Sequence, residues 1–413
     1  MSRRINDFYS NVSIPLNDDW KEWSPMHRSL LSRLVVLLLV TLGAALTLIA
    51  QEDSHPKRPQ KRIIGDYTYY SKFNTPPYAA AQIPYHQLTH IIHAGVPFDQ
   101  YGNLQIPDGF AEPELISRAH DAGVKVVLLI NGDVTAIETD PSILTPLLKN
   151  LKTFVTEKDY DGVDLDWEYP LTALDTATLY QLMSALRATF PGPRYTLSID
   201  AAPWNEPNYD VPHLRNVIDW FNIMTYDCAG PWTAHAQLNA PIFWDPNNPA
   251  PYECQPGASD KDSAGIFLAD APAWQLNQGT PFYGYEYTNV NKVFGLCPNA
   301  STTEDGDCDD AVLTLSYGPN IKQLVDKQGW EAHRDRIALV PYLLRKDGSD
   351  GFITYDDPES TYKRIWYSDW DRGLGGTFLW ALDEDYDGHS QDLLDAMYRA
   401  SKRIPFCDDE PKK

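Results

Sequence analysis

Three carboxylic acids alternate along one short run of the sequence, Asp161-Gly-Val-Asp-Leu-Asp-Trp-Glu-Tyr-Pro170. Successive side chains of a β-strand point to opposite faces, so Asp164, Asp166 and Glu168 would share one face, with neighbouring Cα atoms about 6.5 Å apart. Acids at this spacing cannot all ionise without an energetic cost, so we expect a shared proton and at least one raised pKa. An acid with a raised pKa beside ionised neighbours is suited to general acid–base catalysis.

Two other interpretations of this row compete with catalysis. The acids could bind a divalent cation through their oxygens, or they could form a solvated sheet edge. Apolar Val163, Leu165 and Trp167 would make up the opposite face, which argues against an exposed edge. The acidic loop 304–310 lacks the EF-hand spacing, and no two cysteines have the C-x-x-C spacing of a zinc site. We therefore expect no metal and no cofactor.

The elements that must position the row follow from hydrophobic periodicity. From residue 62 onward, eight short β-rich apolar runs alternate with segments of helical period. The runs are 63–70, 90–96, 125–130, 162–168, 195–202, 220–227, 281–287 and 376–382, and the clearest helices are 113–123, 142–158 and 175–190. Strand–helix alternation implies right-handed crossovers and a parallel sheet. Eight runs favour the α/β class and a closed (β/α)8 TIM barrel over an open doubly wound sheet.

Two gaps in this alternation are too long for simple loops. Residues 228–280 are rich in proline and asparagine, and residues 288–350 separate the seventh run from the last helix and strand. We expect the second gap to hold an α+β insertion between strand 7 and helix 7. The predicted organisation is a tail, hydrophobic segment and linker at 1–61, and a catalytic barrel at 62–405 that contains the insertion.

The hydrophobic segment 34–50 carries no charged residue. Its 17 residues would reach about 25 Å as a helix, near the lower limit for a bilayer span. It is either a membrane anchor or a cleaved signal peptide, and translation from Met26 would give the second an ordinary charged start. In both interpretations the chain beyond residue 60 is exported, so we expect a secreted or membrane-anchored protein with its barrel outside the cell.

The cysteines are compatible with export. We prefer the disulfide pairs Cys228–Cys254 and Cys297–Cys308, which leave Cys407 free. Asn299 begins a glycosylation sequon in the loop closed by the second pair.

Composition narrows the choice of partner. The chain has 34 basic and 57 acidic residues, a net charge of −23, which argues against nucleic acid or an anionic membrane surface. A hydrophobic fraction of 43% excludes wholesale disorder. The 12 tryptophans and 24 tyrosines suit sugar faces and protein cores alike.

The acidic run resembles the D-x-x-D-x-D-x-E signature of glycoside hydrolase family 18, the chitinases and related N-acetylglucosaminidases. Other segments are similar to this family at the strands where it requires them. They are Asn222-Ile-Met-Thr-Tyr-Asp227, 230–232, 239–241, 281–284, 354–358 and 375–380. On the third strand the family usually has S-x-G-G, whereas this chain has Leu129-Ile-Asn-Gly132. That position supports the acidic strand, so its replacement bears on pH optimum and rate more than on reaction type.

The resemblance implies retaining, substrate-assisted hydrolysis of β-1,4-linked N-acetylglucosamine polymers. Glu168 would be the general acid and then the base. Asp166 would orient the substrate acetamide, and Asp164 would share a proton with Asp166. Tyr226 would place its hydroxyl on the acetamide oxygen, with Asp227 assisting from the same strand end.

The resemblance also implies sugar-binding side chains. Trp380 would floor the subsite beside the scissile bond, Trp232 would form a leaving-side platform, and Met224 belongs to the sixth-strand motif. Trp204 and Tyr285 occupy similar strand ends. Trp330, Trp366 and Trp370 lie on or near predicted helices, so we assign them to packing.

Three functions remain open. We prefer a monomeric, endo-acting chitinase whose partner is chitin or its oligosaccharides and which touches a membrane only through its N-terminal segment. A chitinase-like lectin would bind the same sugars without hydrolysis, and the presence of Glu168 argues against it. An endo-β-N-acetylglucosaminidase acting on N-glycan cores would keep the catalytic strand with different loops.

Overall fold

The computed structural model describes residues 60–132, 134–250, 254, 262, 265–298, 308, 311–327 and 329–406. The predicted hydrophobic segment 34–50, the sequon at Asn299 and the free Cys407 lie outside these residues, as does the acidic loop 304–310 apart from Cys308. Within the described residues, no helix combines the length and the apolar character needed to cross a bilayer. The chain from Lys61 onward forms one compact unit.

Strands and helices alternate along this unit. In chain order the strands are β1 Arg62–Thr68, β2 His90–Phe98, β3 Lys125–Gly132, β4 Gly162–Asp166, β5 Thr196–Ala201, β6 Trp220–Ile223, β7 His235–Ala236, β8 Leu276–Pro281, β9 Tyr283–Tyr287, β10 Gly295–Leu296, β11 Val312–Ser316, β12 Trp330–Arg334, β13 Pro341–Arg345, β14 Phe352–Thr354 and β15 Gly376–Trp380. The α-helices are α1 Pro113–Asp121, α2 Thr135–Thr139, α3 Leu144–Glu157, α4 Ala173–Thr189, α5 Val211–Leu214, α6 Lys322–Leu324, α7 Pro358–Trp366 and α8 Asp392–Ser401.

Eight parallel strands close into a barrel in the order β1-β15-β8-β6-β5-β4-β3-β2, which confirms the predicted (β/α)8 fold. Alternate residues of each strand face outward and inward. Outward side chains such as Ile63, Val126 and Leu165 join the core under the helices, while inward side chains such as Ile64 and Leu129 belong to a separate interior cluster. Both faces are buried, so the strands appear in the sequence as nearly continuous apolar runs.

Local signals fix where the flanking helices begin and end. Thr172 and Asp175 form a capping box at the start of α4, and Asp357 does the same with Ser360 for α7. Gly123, at φ 76°, follows α1 and turns the chain into β3. These boundaries place the carboxyl ends of the strands at one mouth of the barrel, where side chains from several strands can meet.

The seventh barrel strand differs from the prediction, which assigned it to 281–287. The structure places β8, Leu276–Pro281, between β6 and β15, and pairs β9 with β11 and β14 of a different sheet. The sequence of β8 is Leu-Asn-Gln-Gly-Thr-Pro, whose polar residues give no strand signal. A Cβ on Gly279 would lie 2.5 Å from the Ile223 carbonyl oxygen, so the close approach of β6 requires glycine there.

A five-stranded antiparallel sheet, ordered β11-β9-β14-β13-β12, lies between β8 and α7 in the chain. It begins at Tyr283 and ends at Thr354, which is wider than the predicted 288–350. Trp330, expected near a helix, instead lies in β12 and is buried. The disulfides Cys228–Cys254 and Cys297–Cys308 form as predicted.

Candidate active site

The acidic row lies at the carboxyl end of β4. The strand ends at Asp166, so Glu168 stands two residues beyond it rather than within it as expected. Asp166 and Glu168 line a cleft of about 610 Å³ at the barrel mouth. Asp164 does not line this cleft and is fully buried below it. The alternation of the strand therefore arranges the three acids in depth, from the barrel interior to the cleft.

Asp164 receives its hydrogen bonds from the β5 and β6 side of the barrel. Its Oδ1 accepts from the Ser198 hydroxyl and, at 3.3 Å, from Asn222 Nδ2. Asn222 in turn accepts from Asn277 Nδ2 at 2.8 Å, and Asn277 accepts from Arg62 Nε at 2.8 Å. Burial raises the pKa of Asp164 to about 7, although the Ser198 hydrogen bond opposes the shift. This line of amides connects a guanidinium at the start of β1 to the acid below the cleft.

Asp166 is the second acid of the row, and its register neighbour on β5 is Asp200. Burial, followed by the charges of Glu168 and Asp164, raises the pKa of Asp166 to about 8. Its Oδ1 is buried without a protein hydrogen-bond partner in the described part of the chain. Carboxyl groups packed this closely release their protons in steps that belong to the group as a whole. Burial and the neighbouring charges therefore favour the protonated form of Asp166.

Glu168 is open to the cleft. The pKa of its carboxyl is raised by partial burial and by the charge of Asp227, and a hydrogen bond from the Tyr169 hydroxyl opposes the shift. The Tyr169 ring meets the Trp204 ring edge to face, with centroids 5.0 Å apart. Glu168 thus has the accessibility and the raised pKa that a general acid requires.

Asp227 follows β6 and faces the cleft from the other side. Its φ of 56° lies in the left-handed region, which aspartate tolerates better than most residues, and Asn239 Oδ1 accepts from its backbone N–H at 2.9 Å. The hydroxyls of Tyr283 and Tyr285 donate to Asp227 Oδ1 at 2.5 and 2.7 Å. Burial raises the pKa of Asp227 and these two donors lower it. The inserted sheet supplies both donors, because both tyrosines belong to β9.

Aromatic side chains form the walls of the cleft. Trp232 and Trp204 are 47% and 41% exposed, a large fraction for tryptophan. The Trp232 ring stands edge to face against Tyr285, with centroids 6.2 Å apart, over Gly230, where a Cβ would lie 2.5 Å from the ring. Trp380, the last residue of β15, also lines the cleft. None of the described side chains that line it is Lys, Arg or His.

A sequence profile described as "Glycosyl hydrolases family 18" matches residues 62–385. The chain belongs to glycosyl hydrolase family 18. This membership confirms the family resemblance and the prediction of a glycosyl hydrolase.

Named relatives in the family are chitinases. Chitinase A1 of Niallia circulans is 30% identical over 287 residues, which are 62% of this chain and 39% of that protein. Endochitinase 1 of Metarhizium robertsii is 25% identical over 352 residues, 75% of this chain and 78% of that protein. The fold is shared with the Group IV chitinase of Ostrinia furnacalis in complex with allosamidin, at a TM-score of 0.72 and 20% identity, covering 84% of this chain and 100% of that one.

The structure of this family 18 chain brings the predicted site residues to one place. Every predicted catalytic or sugar-binding residue except the deeper Asp164 lines the cleft. The residues that line it are Glu168, Asp166, Tyr226, Asp227, Met224, Trp380, Trp232, Tyr285 and Trp204. Tyr226 packs against Tyr283 and Phe378, with ring centroids 6.1 and 6.0 Å away. The catalytic and binding roles of these residues stay predictions.

Several residues of the site were missed by sequence reasoning. Asp200 and Glu384 line the cleft, and Asp66 of β1 is fully buried where the charges of Asp164 and Asp166 act on it. Asp66 and Asp200 each interrupt an apolar strand run at an inward position, a signal that alternation could have revealed. Thr314 reaches the cleft from β11, and no sequence pattern pointed to it.

Proposed function

We propose that this chain hydrolyses β-1,4 bonds between N-acetylglucosamine units of chitin and chito-oligosaccharides, with retention and with Glu168 as general acid and base. The observation that carries this proposal is the position of Glu168. It is open to an aromatic-walled cleft that the half-buried Asp166 and Asp227 also line, and the pKa of each of these two acids is raised by burial. The named relatives, which are chitinases, support the choice of substrate.

In the proposed reaction the nucleophile comes from the substrate. Glu168 gives its proton to the leaving glycosidic oxygen while the acetamide oxygen of the sugar that stays behind bonds to that same sugar's anomeric carbon. The C–O bond to the leaving sugar breaks, and its electron pair takes the Glu168 proton. The Glu168 carboxylate then removes a proton from water, which attacks the same carbon from the vacated side and restores the acetamide. Two inversions give net retention.

Neighbouring side chains support this sequence. Asp166 turns toward Glu168 and orients the acetamide N–H, and the Tyr226 hydroxyl donates to the acetamide oxygen as it attacks. Tyr226 is buried and Asp166 is half-buried at the floor of the cleft, where a hydrogen bond is stronger than in water. Trp380 and Trp232 offer flat apolar faces to successive pyranose rings.

The test compares Glu168→Gln with Glu286→Gln, a matched change on β9 away from the cleft. We expect Glu168→Gln to lower kcat on a fluorogenic chitobioside by at least about 1,000-fold, because both proton transfers are lost, while chitin hexamer still binds. Glu286→Gln should keep the wild-type rate. A Glu168→Gln variant near the wild-type rate would refute the assigned role.

Product analysis separates the alternatives. Chitin hexamer treated with the wild-type 62–413 fragment should yield short oligomers by mass, with internal cleavage indicating endo action. Binding of the hexamer without any cleavage would indicate a lectin. Release of glycans from an N-glycosylated protein, with chitin left intact, would indicate an endo-β-N-acetylglucosaminidase.

We also propose that the barrel works outside the cytoplasm. The two disulfides support this, because structural disulfides persist mainly in oxidising compartments. N-terminal sequencing of protein recovered from the medium tests export and shows whether segment 34–50 is cleaved. Recovery only from the cytosol, with reduced cysteines, would contradict it.

A further inference from the structure

Four acids meet in the barrel, and we call them the acid cluster: Asp66, Asp164, Asp166 and Asp200. Asp166 and Asp200 line the floor of the cleft, and Asp66 and Asp164 do not line it. The four acids come from β1, β4 and β5. Asp66, Asp164 and Asp200 are 0%, 0% and 4% exposed. The Ser198 hydroxyl and the Asn222 amide both donate to a single atom of the cluster, Asp164 Oδ1. Both oxygens of Asp66, and one each of Asp164, Asp166 and Asp200, have no hydrogen-bond partner in the described residues.

Asp200 is the member whose position is most telling. Register places it opposite Asp166 on one side and Asn222 on the other. Burial raises the pKa of Asp164, and hydrogen bonds from Ser198 and Asp200 oppose that rise. Burial and the neighbouring acids raise the pKa of Asp200, and a hydrogen bond from Asn222 opposes that rise. An ionised carboxylate is an acceptor only, so two facing carboxyl groups can form a hydrogen bond only if one of them carries a proton.

The third strand, β3, does not supply a hydrogen-bond donor to Asp164. Leu129 is the register neighbour of Asp164 on β3, and its side chain belongs to the apolar interior cluster. Asp164 therefore depends on the β5 and β6 side, where Ser198, Asn222 and Asp200 lie. The other titratable groups that act on Asp200 are Asp66, Asp164 and Asp166, and Asp200 acts in turn on Tyr226.

We propose that Asp200 is a positioning residue that carries a proton at the working pH and donates it in a hydrogen bond to Asp164. Asp164 can then stay ionised within the barrel without sharing the proton of Asp166. Asp166 is left to turn toward Glu168 and the substrate acetamide. This inference rests on the proposed function, and it assigns to β5 the support that the third strand does not give.

The test compares two substitutions of similar shape. Asp200→Asn removes the titratable group but keeps a hydrogen-bond donor. Asp200→Leu removes both the titratable group and the donor. Loss of a donor to an ionised carboxylate raises its pKa. We expect Asp200→Leu to move the acid limb of the kcat profile up by about one pH unit and to lower kcat by about tenfold or more. Asp200→Asn should lose several-fold less activity, and its acid limb should move less than half as far.

The direction of the Asp200→Asn shift decides the protonation state. If Asp200 were ionised in the wild type, Asp200→Asn would remove a negative charge beside Asp164 and Asp166, and the acid limb would move down by about a unit. That result would overturn the proposal. A changed KM with an unmoved pH profile would also overturn it, because it would make Asp200 a substrate contact only. Asp369→Asn and Asp369→Leu, at a buried acid outside the cluster that bonds to Ser401, control for general effects of burial.

Infrared spectroscopy supplies a test that needs no turnover. At pH 7 the wild type minus Asp200→Asn difference spectrum should show the C=O stretching band of one protonated carboxylic acid. A difference showing only a lost carboxylate band would refute the proposal even in an active enzyme. Conversely, the acid band together with no hydrolysis of any substrate would refute the proposed function but still support a protonated Asp200.

Discussion

The buried ion pair between Asp356 and Arg364 offers the sharpest test of how packing supports the site. Both side chains are 1% exposed. Arg364 Nη2 donates to both carboxylate oxygens of Asp356 at 2.9 Å and to the Ala240 carbonyl oxygen at 2.5 Å. Ala240 follows Asn239, whose side chain accepts from the Asp227 backbone N–H. The pair thus joins α7 to the segment that holds a proposed catalytic carboxylate.

Arg364→Met should destabilise the fold strongly, because it leaves the Asp356 charge buried without a cation, with the hydrogen bond from the Ser360 hydroxyl still in place. Removing one member of such a pair typically lowers the free energy of unfolding by about 3–5 kcal/mol. Asp356 can instead take up a proton, and the free energy of that protonation sets an upper limit on the loss of stability. Protonating a carboxyl of ordinary pKa near 3.9 requires about 4 kcal/mol at pH 7 and about 1.5 kcal/mol at pH 5. We therefore expect a loss of about 3–4 kcal/mol at pH 7 and about 1–2 kcal/mol at pH 5.

Urea unfolding at both pH values measures these losses, provided that the m-value stays constant. The control is the double variant Asp356→Leu with Arg364→Met, which removes both charges and should recover most of the stability. The reasoning would be wrong if Arg364→Met lost the same free energy at pH 5 and pH 7. It would also be wrong if the double variant were no more stable than Arg364→Met.

Two further predictions concern the cleft and the pH dependence of stability. Tyr283→Phe and Tyr285→Phe each remove a donor to Asp227, so each should raise the pKa of that acid and lower kcat by about tenfold. The control is Tyr342→Phe on β13, which does not line the cleft and should keep the wild-type kcat. Equal kcat values for all three variants would contradict the prediction. The unfolding free energy should fall as pH rises from about 5 to about 7, because Asp166 and Asp369 have folded pKa values of about 8 and about 7. Both acids retain protons that the unfolded chain has released, and each retained proton is worth about 1.4 kcal/mol per pH unit. In urea titrations Asp369→Asn should flatten this slope by the share of one proton, and an unchanged slope would show that Asp369 does not hold its proton.

Sequence alone led to the barrel and to the catalytic strand, because both depend on local periodicity. Apolar strand runs alternating with helical segments indicated the closed α/β barrel. Alternation within one run was enough to put Asp164, Asp166 and Glu168 on one face. The two cysteine pairs followed from the loops they close. In each case the deciding information lies in the order and spacing of residues along the chain.

The remaining features depend on the register between strands and on closure of the barrel. β8 is a polar run that becomes a strand only because β6 and β15 flank it. Because β8 takes the seventh place in the barrel, Tyr283 and Tyr285 belong to the inserted sheet, from which they reach Asp227. Asp200 and Asp66 meet the β4 acids from different strands, and no local pattern reports that meeting. Sequence thus determined which acids share the face of one strand, whereas the tertiary structure decided which other acids they meet inside the barrel, where burial raises the pKa of each.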